Sequence, residues 1–227
     1  MNIEQLCTMH SPSTLKAVIF DMDGTLCDSE PYWQIAESEV FSTVGVTLSR
    51  EMMHSTVGLR IDEAVATWYG QFPWEGKSTA QIREEIVDRV LELVRERGSL
   101  LPGALEAIAQ VRRSGLRIAI ASASPMRLLT ALLRHFHIHD QFELVRSGQD
   151  DSHGKPHPAV YIRTAADLGV APAQCLAIED SFNGLLAAKA AKMRCLLVPS
   201  FGGLHDPRWG IADQVLPTLE GFRLQDW

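Results

Sequence analysis

Two carboxylates stand one residue apart in Asp21-Met22-Asp23-Gly24-Thr25, directly after the apolar run Leu15–Phe20. Side chains at i and i+2 of an extended chain share a face, and Gly24 permits a sharp turn straight afterwards. One carboxylate of such a pair can attack an electrophile while the other handles protons. Acids at a strand end also form plain solvated turns, so this pair alone leaves both readings open. Ser122 follows a second apolar run, Leu116–Ala121. Its hydroxyl can donate to a phosphate oxygen or cap the helix that starts near Pro125. Ser124 is the better cap, because proline follows it at the first helical position. Lys155 lies in Gly154-Lys155-Pro156-His157-Pro158, where the prolines exclude a helix or sheet interior. A rigid loop holding one cation suits a fixed anion, although a lone loop lysine is also common. Glu179-Asp180-Ser181 ends a further apolar run, Cys175–Ile178. Adjacent acids at the end of a buried strand are costly unless partnered. Magnesium, which prefers hard oxygen ligands, would resolve that cost; the alternative is helix capping by Asp180 or Ser181.

Taken together, these four groups offer two acids on one loop, a hydroxyl, a lysine and an acid pair. Phosphoryl transfer to a carboxylate is the chemistry they suit best. A phosphate monoester is anionic and repels a carboxylate nucleophile, so a lysine and a metal cation must offset that repulsion. Gly148 and Gly154-Lys155 do not make a P-loop. Five residues separate the glycines where four are needed, and Pro156 stands where Ser or Thr belongs.

The elements that must position these groups are short apolar runs alternating with helical patterns. Besides the three runs above, Arg194–Val198 and, more weakly, Phe142–Val145 read as buried strands. Helical periodicity covers Leu105–Ser114, Pro125–His135, Pro158–Gly169 and Asn183–Ala191, with Gly115 and Gly169 where C-caps belong. This alternation predicts an α/β fold, a Rossmann-like doubly wound parallel sheet. The interval 31–101 breaks the rhythm. It shows helical patterns at Tyr32–Gly45, Ile61–Tyr69 and Gln81–Arg97 and no strand, far more than a βα crossover needs. We read 15–30 and 102–227 as the α/β core, 31–101 as an inserted α-helical cap, and 1–14 as an N-terminal extension. Hinges are expected near Asp28–Pro31 and Leu100–Gly103.

Composition excludes several classes. The chain has 227 residues, 46% hydrophobic and 22% charged, which is ordinary for a soluble globular protein. Twenty-eight acids against 21 bases give −7 and no basic stripe, so no nucleic-acid partner is expected. No run is apolar enough to span a membrane, and Met1–Thr14 lacks a signal-peptide core. Cys7, Cys27, Cys175 and Cys195 are scattered without a CxxC pair, which suggests reduced thiols and a cytoplasmic location. His135, His137 and His139 alternate, but at a helix end and loop, which disfavours a metal site there. Asp150 and Asp151 are placed in solvent, away from the Lys155 cation. The net charge is compatible with a monomer.

DMDGT, ASAS, GKPHP and EDS occur in this order from Lys16 to about Leu219, and the chain thereby resembles the haloacid dehalogenase superfamily. It is similar to the phosphatase branch with a helical cap after the first motif. DSEPYW, VGLRIDEAV, WYGQFPWEG and IASASP resemble bacterial phosphatases of hexitol phosphates and 2-deoxyglucose 6-phosphate. The resemblance implies Asp21 as the nucleophile and Asp23 as the acid and base. It implies Ser122, Ala123 and Lys155 as phosphate ligands, with Ser124 adding a contact. Magnesium would be held by Asp21, the Asp23 carbonyl and Asp180, with Glu179 a weaker or water-mediated ligand. Leu59 and Arg60 match the cap loop over the site, with Arg60 available to a sugar or second anion, and Glu30 would contact substrate hydroxyls or simply open a helix. Trp33, Trp68, Tyr69 and Trp74 are candidates for a sugar-facing surface or, for most of them, cap packing. The expected activity is hydrolysis of small sugar or sugar-alcohol phosphates. A β-phosphoglucomutase-like mutase and a noncatalytic sugar-phosphate binding protein are the alternatives.

Overall fold

The computed structural model describes residues 14–201 and 203–227. Residues 1–13 of the expected N-terminal extension, Cys7 among them, lie outside the described residues. A six-stranded parallel sheet has the order β3-β2-β1-β4-β5-β6, with β1 Ala17–Phe20, β2 Arg117–Ser122, β3 Leu144–Ser147, β4 Cys175–Glu179, β5 Arg194–Leu197 and β6 Gln214–Val215. Each expected strand is present within two residues of its reading, and β6 was not expected. It is two residues long and carries no apolar run that a sequence pattern could reveal.

Every residue of β1 is buried, as a central parallel strand covered on both faces requires. Val18 and Phe20 face one core with the helices Ala104–Ser114 and Met126–His135. Ala17 and Ile19 face a second core with Tyr161 and Leu185, from helices Ala159–Asp167 and Phe182–Ala190. Ala119, Ala121 and Ala177 on this second face leave room for those helices to approach.

Between β1 and β2 the described chain is helical: α1 Glu30–Ser42, α2 Arg50–Ser55, α3 Ile61–Gln71 and α4 Thr79–Arg97. The six-residue α2 was not anticipated, being too short to show a period. A capping box fixes the start of α4, with Ser78 and Gln81 satisfying each other's backbone N–H. Val40 and Phe41 of α1, Val65 and Trp68 of α3, and Ile82, Ile86 and Val90 of α4 bury one another. Trp74 is also buried, whereas Tyr69 is 42% exposed. The two connections run side by side: Asp28 N–H donates to Ser99 at 3.0 Å, Leu101 N–H to Leu26 at 2.8 Å, and Cys27 bridges Leu100. Among the described residues no helix is long and apolar enough to cross a membrane. Cys27, Cys175 and Cys195 are free and buried.

Candidate active site

The topology selects the place of the site. From β1 the chain winds outward through β2 and β3, then returns to start β4 on the other flank of β1. Ligands of open α/β sheets bind at such a switch point, beyond the carboxyl ends of the strands. Phe20 pairs with Ile120 on one side and with Ile178 on the other. One residue further on, Asp21 therefore emerges level with the ends of both neighbours. Its N–H is held by the Ile178 carbonyl at 2.9 Å.

Lys155 reaches this point from its proline-bracketed loop. Its ammonium donates to Asp21 Oδ1 at 2.6 Å, to Glu179 Oε1 at 2.5 Å and to the Ala121 carbonyl at 3.3 Å. All three charged side chains are buried. The Tyr161 hydroxyl also donates to Glu179 Oε1. Burial alone would push the lysine down, but Asp21 and Glu179 outweigh it and hold the ammonium above its ordinary range.

Asp23 lies beside this pair with three donors on its carboxylate. Ser29 Oγ (2.7 Å) and Trp33 Nε1 (3.0 Å) donate to Oδ1, and Ser124 Oγ (2.6 Å) donates to Oδ2. The expected cap role of Ser124 is thus corrected. Pro125 occupies the N-cap of the helix at Met126 without a side-chain bond, and the Ser124 hydroxyl is committed to Asp23. Ser122 Oγ accepts from the Ser124 N–H at 3.0 Å, ordering the backbone at Ala123. Gly24 turns away with φ +71°, where a side chain is strained, and a Cβ there would collide with the Asp180 carboxylate.

Acids outnumber cations at this point. Asp21, Glu179 and Asp180 each offer an oxygen within 4.8 Å of the others. Burial pushes Asp21 well above the usual carboxylate range; Lys155 pulls it back, while Glu179 and Asp180 add to the rise. Asp180 is raised by burial first, then by Glu30 and Glu179. Its Oδ2 is buried with no hydrogen-bond partner among the described residues. Ser181, not Asp180, caps the following helix through Gly184 N–H at 3.0 Å. An orphaned carboxylate oxygen beside two further acids fits a hard divalent cation. Among the described residues no comparable group forms at His135, His137 and His139.

A cavity opens over these groups. Asp21, Asp23, Ser122, Ala123, Ser124, Lys155 and Asp180 line one part, and Glu30, Trp33, Leu59 and other residues of the helical segment line the rest. Glu179 is buried behind Lys155. Arg60 stands off this wall. Its guanidinium pairs with Asp62 at 2.5 Å and donates to the carbonyls of Asp151 (2.5 Å) and Gly148 (3.3 Å). Asp151 is buried and paired with Arg163, which corrects its expected solvent position; Asp150 is exposed. Glu63 accepts from the Gly154 N–H at 2.8 Å, so the helical segment grips the loop that carries Lys155. Trp68 and Trp74 are packing residues, while Trp33 reaches the site through Asp23. Tyr161, Ser29 and the Trp33–Asp23 bond were missed from sequence. Tyr161 had no local signal, since only the tertiary fold brings its helix under Glu179.

A parallel sheet with a carboxylate at its switch point, a buried lysine on that carboxylate and a helical segment over both define an enzyme of the α/β class with a site suited to an anionic substrate. The chain belongs to the haloacid dehalogenase-like hydrolase family, whose model matches residues 15–192. It is 43% identical over 219 residues to hexitol phosphatase B of Escherichia coli (strain K12), covering 96% of this chain and 99% of that protein. It is 30% identical over 187 residues to the β-phosphoglucomutase of Bacillus subtilis, covering 79% and 81%. A crystal structure of CbbY from Rhodobacter sphaeroides in complex with phosphate superposes with a TM-score of 0.82 at 29% identity, covering 92% of this chain and 96% of that one.

Proposed function

We propose that this enzyme is a magnesium-dependent phosphatase of small phosphorylated sugars and sugar alcohols, hexitol phosphates foremost. The observation that carries the reading is Asp21 held by Lys155 at 2.6 Å, with Asp23 beside it, on a chain 43% identical to a hexitol phosphatase. The helices of 31–101 serve as the cap over the core of 15–30 and 102–227, joined by the paired connections at Asp28 and Leu101.

The free oxygen of Asp21 attacks the phosphorus of the monoester. The bond from phosphorus to the sugar oxygen breaks, and Asp23 gives that oxygen its proton. Asp23, now a carboxylate, takes a proton from water; the water oxygen attacks the phosphorus of the aspartyl-phosphate. The bond to Asp21 breaks, releasing inorganic phosphate and restoring the carboxylate. Lys155 and the Ser122–Ser124 backbone hold the phosphate oxygens, and Lys155 opposes the upward push of burial on Asp21 and aims its carboxylate. Asp21, the Asp23 carbonyl and Asp180, with Glu179 behind them, would hold magnesium, which would supply positive charge against the repulsion between carboxylate and phosphate. Buried reduced thiols accord with a cytoplasmic location.

The test is phosphate release from hexose, hexitol and pentose phosphates, with magnesium and with EDTA, beside Asp21→Asn. Magnesium-dependent release, reduced about 10³-fold or more in the variant, is expected. Formation of glucose 6-phosphate from β-glucose 1-phosphate faster than free phosphate would instead establish the mutase. Tight binding without turnover would establish the binding protein.

A further inference from the structure

α1 contributes Glu30, Gln34 and Glu37 to the cavity wall. These are positions i, i+4 and i+7, one face of the helix. They span roughly 10 Å along its axis, at 1.5 Å per residue. None of the three side chains has a hydrogen bond or an ion pair with a described residue. Glu37 is only 9% exposed. Its carboxyl lines the cavity without a protein partner, and nothing in the packing of α1 against α4 requires a polar group there. Among the described residues Lys155 is the single cation lining the cavity, and it is already committed to Asp21 and Glu179.

We propose that Glu30, Gln34 and Glu37 form a subsite for the hydroxyl-bearing carbon chain of a monophosphorylated polyol, and that this subsite rejects a second phosphate. The inference rests on the phosphatase reading and names which esters that site takes. Carboxyl and amide groups accept hydrogen bonds from hydroxyls, and the row is long enough to meet several along one chain. Burial pushes Glu37 up to about 8, and a protonated carboxyl donates as well as accepts. A second phosphate on the substrate would lose its water here with no cation to replace it, facing two acids instead. Arg60, the side chain best suited to bind it, is turned to Asp62 and the Asp151 carbonyl.

The experiment compares kcat/KM of the full-length enzyme with magnesium for glucitol 6-phosphate, fructose 1,6-bisphosphate and phenyl phosphate, which lacks hydroxyls. We expect the wild type to favour glucitol 6-phosphate over the bisphosphate by about 100-fold or more, as unpaired buried charge demands. Glu37→Leu should lower the preference for glucitol 6-phosphate over phenyl phosphate about 10-fold or more, and Glu37→Gln should retain most of it. The Tm of Glu37→Leu should match or exceed wild type, because an unpartnered carboxyl is removed. If that variant fails to fold, Gln34→Leu makes the same comparison. Equal cleavage of the bisphosphate, or equal losses on both monoesters, would overturn the subsite while leaving the phosphatase reading in place. No release from any ester, phenyl phosphate included, would overturn both.

Discussion

Gly184 lies in the first turn of the helix Phe182–Ala190, where alanine is ordinarily the better residue by about 1 kcal/mol. Here a Cβ would fall well under 3.0 Å from the carboxylate carbon and both oxygens of Glu179. That carboxylate has no room to yield. It is fully buried and holds the Lys155 ammonium, the Tyr161 hydroxyl and the Asp180 N–H. In Gly184→Ala, overpacking of about 1–3 kcal/mol is partly offset by the helical gain, leaving a net destabilisation of about 0–2 kcal/mol. Activity should suffer far more. Displacing Glu179 removes one of the two anions that aim Lys155 at Asp21, a charged hydrogen bond worth about 1.5–3 kcal/mol. At 1.36 kcal/mol per tenfold, kcat/KM should fall about 10- to 150-fold. Thermal unfolding and phosphate release on the same sample measure the two effects. A variant with wild-type kcat/KM, or one whose activity loss is explained by a fall in folded fraction, would refute the coupling of Gly184 through Glu179 to Asp21.

Two further outcomes follow from the site. Magnesium at about 100 times its Kd should stabilise the fold by about 2.7 kcal/mol, a Tm rise of roughly 5–11 °C for a chain of this size, measured by calorimetry against EDTA. The sign with pH is fixed by burial: Asp21 and Asp180 are raised in the folded state from 3.8. Their contribution is fully present below 3.8 and is lost as pH rises through the folded values, so the EDTA sample should lose Tm with rising pH and the magnesium sample should lose less. Arg60→Ala should lower kcat/KM about 10-fold or more, equally for glucitol 6-phosphate and phenyl phosphate. It should also speed proteolysis between 148 and 154, because Arg60 ties that loop to the helical segment. A loss confined to one substrate would mean that Arg60 binds the substrate instead.

The sheet and the acids at its carboxyl edge were legible in the chain because their signals are local. A parallel strand buried on both faces reads as a short apolar run, and the acid, serine or acid pair that ends it marks the carboxyl edge. Ala17–Phe20, Arg117–Ser122 and Cys175–Glu179 each follow that rule. The long strand-free interval with helical periods announced the segment 30–97 in the same way. β6 and α2 escaped because two and six residues cannot display a period.

What only the tertiary structure decided are the partners, which depend on groups distant in sequence. Ser124 looked like a helix cap, yet 101 residues back it finds Asp23 and gives it the hydroxyl proton. Arg60 reads from sequence as available to a sugar or second anion, and only the fold gives its guanidinium the carbonyls 88 and 91 residues further on as partners. Asp151 looked like a solvated loop acid, yet Arg163 neutralises it in a buried position. Residue type and spacing fixed which chemistry the chain can perform, since strand ends and proline-locked loops leave a functional group few local alternatives. A charged side chain's partner is settled by desolvation and pairing across the fold, and those energies exist only once the sheet has brought β1, β2 and β4 together.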